Sequence, residues 1–189
     1  MEVRPATTAD AEAIREIYNT EVSGSTVTFD LVPRTAAEQR AWLEDRSGGH
    51  VALVATDGDV VLGFGALSPY RDRPAYNTSV EDSVYVHRNH RGRGVGRLLL
   101  DALVTTARNH GFHTVVARVV SGHEASIALH TACGFTLVGT EREVGRKFGR
   151  WLDVVVLQLV LDSDAADTQR TRPPGRPPVI DGGAPPPGD

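Results

Sequence analysis

The chain has 189 residues, enough for one hydrophobic core, and 20 basic against 24 acidic residues leave it a net charge of −4. That balance argues against nucleic acid or an anionic membrane as a partner and for a small ligand, and no apolar run reaches the length of a membrane span. The single cysteine, Cys133, excludes an intramolecular disulfide and a cysteine-cluster metal site, and "MEVRPATTAD" lacks a basic-then-apolar leader, so a cytoplasmic location is expected.

Thr7 and Asp10 have capping-box spacing ahead of an apolar stripe, Ile14, Ile17 and Tyr18, and Thr35 with Glu38 repeats the signal ahead of Trp42 and Leu43. Two helices are therefore expected. The connection between them, "NTEVSGSTVTFDLVPRT", is long and polar apart from Phe29, and reads as a candidate lid. "VALVAT" and "VVLGFGALS" flank the turn Asp57-Gly58-Asp59 as a hairpin, and "SVEDSVYV" at 79–86 continues the meander. Val95, Leu98, Leu99, Ala102, Leu103 and Ala107 then recur at helical spacing until Gly111. "TVVARVV" at 114–120 reads as a buried strand, "EASIALHTAC" as a short helix and "WLDVVVLQLVL" at 151–161 as a closing strand. The order is that of a single α+β domain with a mixed β-sheet flanked by helices, over 1–161. Residues 162–189 hold seven of the eleven prolines and almost no large apolar side chain, the composition of a disordered tail.

The segment "HRNHRGRGVGRLLLDAL" at 87–103 carries the clearest chemical signal. Gly92, Gly94 and Gly96 open a helix, so backbone N–H groups and about half a positive charge face whatever binds there. Phosphate is the natural occupant. Gly96 is followed by Arg97 and Leu98 where a nucleotide-hydrolysing P-loop needs lysine and a hydroxyl, and the G-x-G-x-G spacing departs from the dinucleotide fingerprint. A pyrophosphate cradle after a strand is what survives.

The element order, the loop RGRGVG at 91–96 and "ASIALHTACGF" at 125–135 resemble the GCN5-related N-acetyltransferase (GNAT) superfamily. Within it, "IYNTEVSGSTVTF", "VEDSVYVHRNHRGRGVGRLLL" and "VGRKFGRWLDVVVLQL" are similar to the phosphinothricin and methionine sulfoximine acetyltransferases. The resemblance implies acetyl-CoA as donor, a small primary amine as acceptor, no metal, and a homodimer.

It also implies roles residue by residue. Val84, Tyr85 and Val86 would offer their backbone to the pantetheine arm, as an added strand binds a sheet edge. Gly92, Arg93, Gly94, Val95, Gly96 and Arg97 would take the pyrophosphate. His123 stands where the family usually has asparagine, and with Ser126 it would contact the cofactor.

Glu81 matches the family's catalytic glutamate, and a carboxylate shielded among apolar residues can work as a base near neutral pH. Asp82 beside it is expected on the opposite face, in solvent. His130 falls where many relatives place a tyrosine that protonates the leaving thiolate; a packed structural histidine is the other reading. Arg71 and Arg73 suit an amino-acid carboxylate, with Tyr76, Thr78 and Phe29 lining the same pocket. Cys133 has no partner in sequence for an acyl-enzyme route, so direct transfer is expected. Leu152 replaces a histidine found after this tryptophan in phosphinothricin-specific relatives, which implies preference for a neutral sulfoximine or sulfone. A non-catalytic acetyl-CoA-binding module, or an acetyltransferase for another small amine, is the alternative.

Overall fold

The computed structural model describes residues 1–161; the tail expected at 162–189 lies outside them. In chain order the elements are β1 (Glu2–Pro5), α1 (Ala11–Gly24), α2 (Ala36–Glu44), β2 (Ala52–Asp57), β3 (Val60–Pro69), β4 (Ser79–Val86), α3 (Val95–Asn109), β5 (Thr114–Val120), α4 (Glu124–Ala132), β6 (Thr136–Lys147) and β7 (Arg150–Val160). The strands form one sheet in the order β1-β2-β3-β4-β5-β7-β6. Every neighbouring pair is antiparallel except β4 with β5. This is the expected mixed sheet, and the order of elements along the chain matches that read from sequence.

Alternation along the strands builds two cores, one on each face of the sheet. Val95, Leu99, Leu100, Leu103 and Ala107 bring α3 onto one face against Leu62, Leu67, Val115 and Leu157. Ala11, Ile14, Ile17, Tyr18 and Val22 bring α1 onto the other, against Val54, Phe64 and Ala66, with Leu43 of α2. Both helix starts behave as their spacing suggests. Asp10 accepts hydrogen bonds from Thr7 N–H at 2.8 Å, and Glu38 N–H donates to Thr35 Oγ1 at 3.2 Å while Glu38 accepts from Thr35 N–H.

One departure positions the site. β4 pairs with β3 from Val80 to Val86, but with β5 only where Ser79, Val80 and Glu81 face Thr114, Val115 and Val116. Beyond Glu81 the two strands part, because β5 stays with β7 all the way to Val120. A wedge opens in the sheet at that point.

The expected lid is shorter than its sequence suggested. α1 runs on to Gly24, and the first part of the remaining connection is fastened down. Thr26 Oγ1 lies 3.1 Å from His123 Nε2, and the Thr28 carbonyl accepts a 2.8 Å bond from the buried Lys147 ammonium. β6 is the element least visible in sequence. It is an edge strand whose residues are mostly exposed, so it lacks the apolar run that marks β5 and β7.

Candidate active site

The wedge is the mouth of a cleft of about 480 Å³. Its walls are the parted strands, Asp82–Val86 on one side and Ala117–Val120 on the other, closed by the start of α3 and by His123, Ser126, Leu129 and His130 of the α4 segment. Val84, Tyr85 and Val86 thus have backbone partners on β3 and none on β5, the free edge that the family resemblance implied. The Tyr85 ring leaves the cleft for the opposite face, stacking on Phe64 at 5.1 Å.

Gly92 and Gly94 take φ of +73° and +82°, a region costly to any side chain, and a Cβ at either would meet no protein atom within 4 Å. Gly94 is the N-cap of α3, so the uncapped N–H groups of its first turn, with Val95 and Gly96, face the cleft. An anion fits this cradle through backbone donors. The arginines of the motif also have protein partners. Arg97 lines the cleft and donates to Asp101 at 2.8 Å and to the Ala132 carbonyl at 3.1 Å, while Arg93 reaches His90 at 3.0 Å and is absent from the cleft wall. Sequence reasoning passed over the pair that governs the other side of this loop: buried Glu21 accepts from Arg91 at 2.8 Å and from Arg88 at 2.9 Å. The acidic residue inside an otherwise apolar-and-polar helix stripe was the available signal.

Asp82 corrects the sequence reading. It does occupy the opposite face from Glu81, but it is buried, and its Oδ2 stands 3.0 Å from His130 Nε2. The partner is helix α4, which packs over that face; a period-two pattern reports a face, not whether a helix covers it. His130 is buried too, and its Nδ1–H donates to the Ser126 carbonyl at 2.7 Å, so both ring nitrogens are engaged. Burial alone would lower the imidazole's pKa, but the Asp82 bond and charge, helped by the Ser126 carbonyl, carry it above the usual histidine range. His123 starts α4 without capping it, having turned to Thr26, and burial pushes its pKa down.

Glu81 sits at the last paired position before the wedge, partly buried. Burial raises its carboxyl above the ordinary value; Arg118 opposes that, Asp82 and Glu141 add to it, and Arg71 opposes it further. The structure therefore gathers Glu81, Arg71, Arg118 and Glu141, of which the last two were not foreseen. Arg73, Tyr76 and Thr78 lie in the exposed connection before β4. Tyr76 packs edge-on against Tyr70 at 5.5 Å with Arg71 over both rings, and the Thr78 carbonyl anchors β5 through His113 N–H at 2.8 Å. Phe29 lies against Gly145 of β6, so close that a Cβ there would clash with its ring.

A parted parallel pair of strands beside a glycine-opened helix agrees with what comparison finds. A family model described as an acetyltransferase (GNAT) domain matches residues 3–156. The chain belongs to the GNAT acetyltransferases. It is 41% identical over 162 residues to the L-methionine sulfoximine/L-methionine sulfone acetyltransferase of Pseudomonas aeruginosa, covering 85% of this chain and 94% of that one. It is 42% identical over 158 residues to the phosphinothricin N-acetyltransferase of Streptomyces coelicolor, covering 82% and 92% respectively. Among solved structures, yncA of Salmonella typhimurium, determined with its cofactor acetyl-CoA, superposes with a TM-score of 0.84 at 41% identity over 88% of this chain and 96% of that one. This GNAT chain is an acetyl-CoA-dependent N-acetyltransferase, and the cleft with its anion cradle and free strand edge fits that donor. Among the described residues no His, Cys, Asp and Glu cluster could hold a metal ion, and no helix is long and apolar enough to cross a membrane.

Proposed function

We propose that the enzyme acetylates the α-amino group of small amino-acid analogues of the methionine sulfoximine, methionine sulfone and phosphinothricin kind, by direct transfer with Glu81 as general base. The observation that carries this is the place of Glu81: a partly buried carboxylate of raised pKa at the vertex of the wedge, where the donor cleft ends. The names of the two relatives support the acceptor class.

In this reading the backbone of Val84–Val86 and of Gly92–Gly96 holds the donor, which supplies the acetyl thioester. Glu81 takes a proton from the acceptor's ammonium, whose pKa of about 9–10 leaves it mostly charged at neutral pH, and so frees the nitrogen lone pair. The C–N bond forms as the C–S bond breaks, and the second proton lost by the nitrogen goes to solvent or to the departing thiolate, which, with a conjugate acid near ~8.5, needs no obligatory proton donor. His130 holds the α4 wall rather than protonating the thiolate, since donation would break one of its two hydrogen bonds. Burial pushes the Cys133 thiol up to about 11, which disfavours an acyl-cysteine route. Arg71 is the better placed of the two predicted carboxylate ligands, because its charge reaches Glu81.

Leu152 supports a preference within the class. It is buried opposite Gly145, on the sheet face that carries Glu81, and offers no polar partner to an anionic phosphinate. L-methionine sulfoximine and sulfone are therefore expected to outcompete phosphinothricin when CoA release is followed with both acceptors at equal concentration. Preference for phosphinothricin sinks the Leu152 argument. Glu81→Gln is expected to keep acetyl-CoA affinity and lose roughly a hundredfold in turnover, recovering as pH rises; turnover within twofold of the parent assigns the base elsewhere. The exposed apolar side chains of edge strand β6 and its hairpin, Leu137, Val138, Val144, Phe148 and Trp151, support a homodimer. Light scattering at micromolar concentration tests it, and a monomer mass refutes it.

A further inference from the structure

β5 carries a single charged residue, Arg118, in "TVVARVV", and after Thr114 the rest of the strand is apolar. A guanidinium in the middle of a buried strand is costly, and an ion pair around it is often no better for stability than apolar side chains of the same size. Yet Arg118 is held tightly. Its Nη1 donates to Glu141 Oε1 at 3.2 Å and its Nη2 stands 2.6 Å from Glu141 Oε2, with both side chains about a third exposed, at 28% and 35%.

Register places this pair beside the reacting groups. Glu81 faces Val116, so Arg118, two residues on, emerges on the same side of the sheet just past the vertex of the wedge. Glu141 faces Val154, which faces Val120, and so shares that side. Arg118 also lines the donor cleft. No fold contact requires a charge here, whereas the carboxylate diagonal to it has chemistry to perform.

We propose that Arg118, held by Glu141, is a positioning residue for acetyl transfer: the pair sets the electrostatic field at Glu81 and keeps that carboxylate ionised when the ammonium arrives. The inference rests on Glu81 being the base. Four charged groups act on Glu81: Arg118 from β5 and Arg71 from the connection before β4 favour its ionised form, while Asp82 from β4 and Glu141 from β6 oppose it. Burial opposes ionisation more than any of them. Arg118 is the largest influence favouring the carboxylate, and Glu141 tempers it both by its own charge and by neutralising the guanidinium.

The two halves of one ion pair must then act in opposite directions, which a purely structural bridge would not do. Arg118→Gln removes the cation, so Glu81 holds its proton to higher pH and the acidic limb of kcat/KM moves up. Glu141→Gln removes a repulsion and leaves Arg118 uncompensated, so the limb moves down. Each shift is expected on the order of half a pH unit for charges acting through a partly wet site. Arg118→Lys should restore most of the parent limb. The assay is CoA release against a saturable amino-acid acceptor between pH 5 and pH 8 (about the range where such a limb can fall), each sample quenched and brought to one pH before the thiol is read, with thermal unfolding confirming that each variant folds. Opposite shifts with lysine rescue support the proposal. Shifts of the same sign, or an unmoved limb, overturn it. Glu81→Gln separates the two readings: a limb lost in that variant but unmoved by either partner refutes this proposal alone, whereas a limb that survives it removes the base assignment and this proposal together.

Discussion

A methyl group added at Gly145 would test whether Phe29 reaches the acceptor. Gly145 faces Leu152, and a Cβ at 145 would stand 2.2 Å from Phe29 Cε2 and 2.4 Å from Cζ. Carbon atoms in contact sit about 3.5–4.0 Å apart, so the ring must withdraw by about 1.5 Å. It can do so, because it is 39% exposed, while the chain behind it stays fastened through the Thr28 carbonyl and Lys147. The structural cost of Gly145→Ala is therefore that of one side chain pushed off its preferred rotamer, about 0.5–1.5 kcal/mol. Thermal unfolding should fall by only a few degrees. The functional cost is different in kind. If the ring covers the acceptor, its withdrawal forfeits about 1–2 kcal/mol of apolar contact, roughly a five- to thirtyfold rise in acceptor KM. Neither Gly145 nor Phe29 lines the donor cleft, so acetyl-CoA affinity should not change. Steady-state CoA release at saturating acetyl-CoA reads the acceptor KM, calorimetry of donor binding the affinity, and thermal unfolding the stability. An acceptor KM within twofold of the parent, with the ring demonstrably displaced by the small loss of stability, would show that Phe29 does not touch the acceptor.

Two further outcomes follow from single groups. Gly94→Glu puts a carboxylate into the open cradle at a φ of +82°, and calorimetry should find acetyl-CoA binding abolished, with Gly94→Ala as the control that carries only the backbone strain; unchanged affinity in the glutamate variant removes the phosphate assignment. Arg4 donates to both oxygens of Asp10 at 2.8 Å and holds its carboxyl down to about 2 from 3.8. A carboxyl depressed on folding stabilises above its unfolded value and loses that contribution as pH falls through the folded one, so about 1–2 kcal/mol, discounted for the half-exposed Arg4, should disappear between pH 4 and pH 2. Urea unfolding of Asp10→Asn should show that deficit at pH 7 and a shrinking one toward pH 2; a deficit independent of pH would point to packing instead.

Sequence alone carried what local rules encode. Apolar spacing located α1, α3 and β5, capping residues located the starts of α1 and α2, and Gly92 and Gly94 announced a backbone cradle because residues without side chains at a helix start leave its N–H groups open to a ligand. Tertiary structure decided the rest. Arg93 and Arg97 read as phosphate ligands in the motif, but an arginine's protein partners are set by whichever groups the fold brings within reach, here His90 for Arg93 and Asp101 with the Ala132 carbonyl for Arg97. Asp82 read as a solvent acid until α4 laid His130 against it. The wedge itself has no signature in either strand, since pairing is a relation between residues 35 apart: Ser79 meets Thr114 and Glu81 meets Val116, and nothing in "SVEDSVYV" or "TVVARVV" says where they part. Arg118 was visible as a lone charge in an apolar strand. That it stands beside Glu81 and is held by Glu141 depends on the register of β4, β5, β7 and β6 together, which long-range hydrogen bonding determines and local sequence does not.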